Sequence, residues 1–158
     1  MKRSTVVEII SSLLVLLLVY TAFSKLLDYN TFKLQLSKSP FITEFATIIA
    51  WALPSIEFLV AIALVFNRTR LLGLYASLFL MTMFAAYIYA MLNFSYYIPC
   101  SCGGVLTTMT WGQHLWFNLF FITISIIGIL VQNKINSVSK VVPGNELVEL
   151  PYSQFARL

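Results

Sequence analysis

The stretch YYIPCSCGGVLTTMTWGQHLWFN, residues 96–118, holds both cysteines and the only histidine of the 158-residue chain. Cys100 and Cys102 are two apart, so in extended backbone they point the same way at roughly 6.6 Å, near the upper limit for a disulfide. A slight bend would close the ring. Pro99 fixes one backbone angle and Gly103-Gly104 supplies conformations that other residues resist. A bridge over so short a loop gains little through chain entropy, and strain in the tight ring makes it easier to reduce. Such a pair suits thiol–disulfide exchange better than stapling. Two other readings stay open. One is an oxidised, inert pair that only shapes its loop; the other is a soft ligand set of both thiolates, His114 and Met109 for Cu(I) or Zn(II). Against a metal stand the lack of a second cysteine pair and of any nearby carboxylate.

The residues after the pair can tune it. Thr110 and Gln113 have capping-box spacing, which starts a helix at Trp111 and puts His114 in its first turn. A neutral imidazole there can take a proton from a thiol. Trp111, His114 and Asn118 share one helical face at spacings of three and four. The plainer alternative is a histidine or asparagine that joins helices by a hydrogen bond. Glu57 is the remaining chemistry-bearing residue, deep in an apolar run three residues after Pro54. An ionised carboxylate inside a membrane span costs at least about 2.5–3.5 kcal/mol, so it needs compensation. Protonation, carbonyls freed by Pro54, or a tyrosine such as Tyr75 or Tyr87 could provide it. A proton relay and an interhelical hydrogen bond are the two roles such a residue can serve.

The elements that carry these residues are membrane helices. With 59% hydrophobic and 10% charged residues, the chain could not hide its apolar side chains inside a water-soluble domain. Spanning helices need about 20 mainly apolar residues, and stretches near 6–26, 42–66, 71–93 and 111–131 qualify. Their short connections predict an all-α, polytopic four-helix bundle, one domain over residues 1–131. Residues 132–158 are too polar and Pro/Gly-punctuated for a fifth span, and read as a cytoplasmic tail. The first run loosely mimics a signal peptide ending at Ala22-Phe23-Ser24, but Glu8 and its length favour a retained helix.

Finer features follow from local spacing. Tyr29, Phe32 and Leu36 lie on one face of YNTFKLQLSK, residues 29–38, with Lys33 and Lys38 free to reach water, as in a short interfacial helix. Ser39-Pro40 resembles a cap and first-turn proline for the second span. Gly73 with Ser77, and Ala86 with Ala90, are small residues four apart that let another helix approach. Trp111 and Trp116 suit a lipid–water interface. Lys2, Arg3, Arg68, Arg70, Lys134, Lys140 and Arg157 fall on one side of the bundle; only Lys25, Lys33 and Lys38 fall on the other. The positive-inside rule then predicts both termini in the cytoplasm and residues 94–110 outside it. The net charge of +4 is explained by this anchoring and does not point to nucleic acid.

Pro54 and Glu57 in the second span, Cys100-x-Cys102-Gly103 before the fourth, and Trp111-x-x-His114-x-x-x-Asn118 entering it resemble the MauE branch of the DoxX-like membrane proteins. The likeness extends over nearly all of residues 6–131, and the chain departs from the family's frequent aromatic at Gly104. The resemblance implies a four-helix protein of a bacterial inner membrane linked to thiol–disulfide chemistry, since MauE is associated with maturing a disulfide-rich periplasmic dehydrogenase. Nothing in the sequence indicates a methylamine substrate.

Cysteine arithmetic limits the mechanism. Four-helix disulfide-forming enzymes pass electrons between two cysteine pairs, and this chain has two cysteines in all. Either the pair exchanges directly with a partner and a membrane quinone, or the protein positions a separate thioredoxin-like or disulfide-containing partner. A non-enzymatic subunit bound to other membrane subunits is the contrasting expectation. No phosphate-binding glycine loop, Ser/His/Asp arrangement or carboxylate cluster supports a hydrolase or transferase.

Overall fold

In a computed structural model, residues 3–38, 43–94 and 110–141 are described. The expectations for Ser39-Pro40 and for Cys100, Cys102, Gly103 and Gly104 lie outside those residues. Among the described residues five α-helices follow one another: α1 Arg3–Leu27, α2 Tyr29–Ser37, α3 Ala46–Val65 after a 3-10 turn at Thr43–Phe45, α4 Arg70–Phe94 and α5 Trp111–Val141. Four are long and apolar enough to cross a membrane: Thr5–Leu27, Thr43–Val65, Arg70–Asn93 and Gly112–Ser137. The architecture is the all-α, polytopic membrane bundle that the composition predicts. α5 continues as helix past Val131 to Val141, into the segment that reads as tail.

The long helices form a ring in the order α1, α3, α4, α5, with α1 packed most extensively on α3 and α4 on α5. Leu14, Leu18, Leu64, Leu74 and Ile88 are fully buried within it. Leu16, Leu59, Leu72, Phe79 and Trp116 face outward. Helices apolar on every side mark a lipid-embedded bundle, in which close packing replaces the hydrophobic drive between helices. Gly73 shows this directly: a Cβ there would lie 2.9 Å from the Leu64 backbone nitrogen. Ser77 is buried and donates to the Gly73 carbonyl. The second small pair fits less well, because Ala86 is exposed and its neighbour Ala85 is buried.

α2 is the short amphipathic helix expected after the first span. Phe32 and Leu36 pack on Ala46 and Ala50, and the Tyr29 ring lies 5.3 Å from that of Trp51. α3 runs unbroken through Pro54. Beside it, the Ser55 hydroxyl donates to the Trp51 carbonyl at 2.8 Å, a common way to settle backbone groups around a membrane proline.

Candidate functional site

Lys25 ends the apolar run of α1, and its side chain turns into the bundle. Its Nζ donates to Glu57 Oε1 of α3 at 2.7 Å, and the two side chains are 8% and 0% exposed. Lys25 is therefore Glu57's compensating charge. This corrects the reading of Tyr75 as a partner, since it stands on the exposed face of α4, and it shows that Lys25, counted among the outer-side lysines, is buried. The lysine fits because it lies in the last turn of α1, where carbonyls are unpaired and the dipole is negative. Its Nζ also reaches the Thr21 carbonyl at 3.4 Å, and the Phe32 and Phe84 rings lie 5.9 and 5.6 Å away. Both rings add cation–π attraction in a desolvated place.

α5 brings the next two residues. Thr110 and Gln113 form the expected capping box: the Thr110 N–H donates to Gln113 Oε1 at 2.9 Å, and the Gln113 N–H to Thr110 Oγ1 at 3.4 Å. The box fixes where α5 begins, and so His114 and Asn118 face inward, both buried. Trp111 opens the helix; its side chain lies outside the described set.

These groups meet at a cavity of about 50 Å³. Thr21 and Lys25 of α1, Tyr87 of α4, and His114 and Asn118 of α5 give it polar walls. Leu17, Met81, Phe84, Ile88 and Phe117 complete it. Two buried polar atoms at this cluster, Glu57 Oε2 and Asn118 Nδ2, have no hydrogen-bond partner among the described residues. A water takes about 30 Å³ of liquid volume, whereas benzene binds in a cavity of about 150 Å³. Among the described residues the space is therefore large enough for ordered water.

Pro54, Glu57, His114 and Asn118 are all buried, and the last three converge with Lys25. The position of Cys100 and Cys102 relative to them lies outside the described residues. Chain connectivity still limits it, because residues 95–109 join the end of α4 to the start of α5, and Tyr87, Ile88 and His114 sit within two turns of those ends. Lys25 and Thr21 are the residues the sequence reading missed. The available signal was a lysine four residues after a threonine, at the edge of one span and facing a carboxylate in the next.

The family described as "Methylamine utilisation protein MauE" matches residues 3–131. The chain belongs to the MauE family. No curated protein and no solved structure matches it. Among the described residues no group of three or more His, Cys, Asp or Glu could hold a metal ion.

Proposed function

We propose that this MauE-family protein performs or supports thiol–disulfide exchange through Cys100 and Cys102 on the periplasmic face of a bacterial inner membrane, with both termini cytoplasmic. One observation carries the reading. Lys25, His114 and Asn118 converge on a cavity lined by α4 and α5, the two helices that the cysteine-bearing connection joins. Buried polar groups are costly in a membrane and mark functional places; here they gather near the roots of the chain's only thiols.

In the exchange, the Cys102 thiolate attacks a disulfide of a thioredoxin-like or other disulfide-containing partner, and one partner sulfur leaves as thiolate. Cys100 then attacks the mixed disulfide. The pair ends oxidised and the partner reduced by the same two electrons, so the step balances between the two proteins. In reverse, the oxidised pair oxidises a partner dithiol. His114 is the base for the attacking thiol, and the Lys25–Glu57 pair fixes the cavity wall beside it.

Cys100→Ser should trap a mixed disulfide with the natural partner, seen by non-reducing electrophoresis and released by reductant. The double variant Cys100→Ser/Cys102→Ser should trap none and should lose function at unchanged abundance. Full function in the double variant would overturn exchange and leave a scaffold for other membrane subunits.

A further inference from the structure

A second cavity lies at the opposite end of the bundle, the end that carries the N-terminus and the α3–α4 turn. It is a groove of about 580 Å³ lined by α1 from Glu8 to Tyr20 and by Leu64, Val65 and Arg70. That volume falls in the range of about 300–1,000 Å³ typical of ligand sites. Its chemistry changes in order along α1. Glu8 comes first, Ser11 and Ser12 follow one turn on, then Val15, Leu16 and Val19, with the Tyr20 side chain at the far end, and Arg70 joins the lining from α4. From Glu8 to Val19 the helix rises about 16 Å, close to half of the roughly 30 Å hydrocarbon core.

Ser11 is the informative residue. It is 4% exposed, lines the groove, and its Oγ has no hydrogen-bond partner among the described residues. The buried hydroxyls of Ser77 and Ser125 instead donate to a carbonyl one turn back. Arg70 is tethered by its Nε, which donates to the Leu64 carbonyl at 3.4 Å; its two terminal nitrogens have no partner among the described residues.

We infer that this groove binds one glycerophospholipid with a zwitterionic, amine-bearing headgroup. Arg70 takes the phosphate, Glu8 the amine, Ser11 donates to an ester carbonyl, and an acyl chain lies along Val15 and Val19. A transmembrane helix of a second chain fits less well. Its backbone acceptors are already used internally, so Ser11 would stay unpaired and Arg70 would face an apolar surface.

The test uses the intact protein in mild detergent, with bound lipid counted by native mass spectrometry during titration. Phosphatidylethanolamine should bind one per chain, and diacylglycerol, which lacks the phosphate and amine, should bind at least about tenfold more weakly. Arg70→Gln should weaken phosphatidylethanolamine about tenfold, the size expected for one lost charge-assisted hydrogen bond, while Arg70→Lys keeps most of the binding. Glu8→Gln should abolish the preference for phosphatidylethanolamine over phosphatidylglycerol. Unchanged thermal melting of each variant confirms that folding is intact. Equal binding of diacylglycerol, or of phosphatidylglycerol by the unaltered protein, overturns the headgroup assignment. A stable dimer carrying no phospholipid puts a second copy in the groove and overturns the inference altogether.

Discussion

Lys25 and Glu57 form a buried ion pair at 2.7 Å, and their energetics depend on both partners being present. Breaking such a pair by removing one partner costs about 3–5 kcal/mol, because the other charge is left buried, whereas replacing both by apolar groups is often nearly neutral. Lys25→Met and Glu57→Leu should each lower the melting temperature in detergent by circular dichroism, and the double variant should recover most of the loss. Glu57→Gln should fall between, since its amide oxygen still accepts from Nζ. Additive losses in the double variant would show that the two residues are not coupled. A recovered fold with lost exchange would separate the pair's role in chemistry from its role in packing. Glu57 was legible in the sequence because a carboxylate deep in an apolar run must be compensated. Its partner was not, because a lysine at the edge of a span ordinarily snorkels to the interface. Only the rotation of α1 about its axis decides between those two fates, and a single sequence does not contain that rotation.

Helix contacts repeat the same division between what composition fixes and what rotation fixes. The four spans follow from apolar length, and the start of α5 from the Thr110–Gln113 spacing, since both are local properties. Which small residues touch a neighbour is not local: Gly73 does, Ala86 does not, and Gly128 joins the contact set without having stood out. The glycines therefore form a graded series. A Cβ at Gly73 would meet Leu64 backbone at 2.9 Å, which cannot yield without moving α3. One at Gly128 would meet the Ile10 Cγ2 and Leu74 Cδ2 side-chain atoms at 3.1 Å, which asks for a shift of a few tenths of an ångström in side chains rather than backbone, and one at Gly112 meets nothing within 4 Å among the described residues. Gly73→Ala should cost about 1–3 kcal/mol by overpacking, and Gly128→Ala should cost less. Gly112→Ala should be neutral or slightly stabilising, because alanine is the better helix former. Thermal melting in detergent ranks them, and a Gly73→Ala loss no larger than that of Gly112→Ala would contradict the packing of α3 on α4.

For the whole molecule the open quantity is its direction across the membrane, and the Lys25–Glu57 pair bears on it. Orientation is set by lysines and arginines that stay in water next to the spans. Lys25 is buried and neutralised by Glu57, so it no longer opposes the charge on the other side. What remains at that end is Lys33 and Lys38 of the α2 segment, against Lys2, Arg3, Arg68, Arg70, Lys134, Lys140 and Arg157. The proposed cytoplasmic placement of both termini is therefore favoured more strongly than by the raw count, and under that proposal the cysteine connection lies on the oxidising side, where a disulfide can persist. A membrane-impermeant maleimide added to intact spheroplasts after mild reduction should label Cys100 or Cys102, with no labelling of the double serine variant. Lys25→Met should leave that pattern unchanged, because a charge already paired inside the bundle does not steer insertion. If labelling appears only after lysis, the cysteines face the reducing compartment. Exchange with a periplasmic partner then falls with the orientation, while the ion pair, the glycine contacts and the lipid groove stand unaffected.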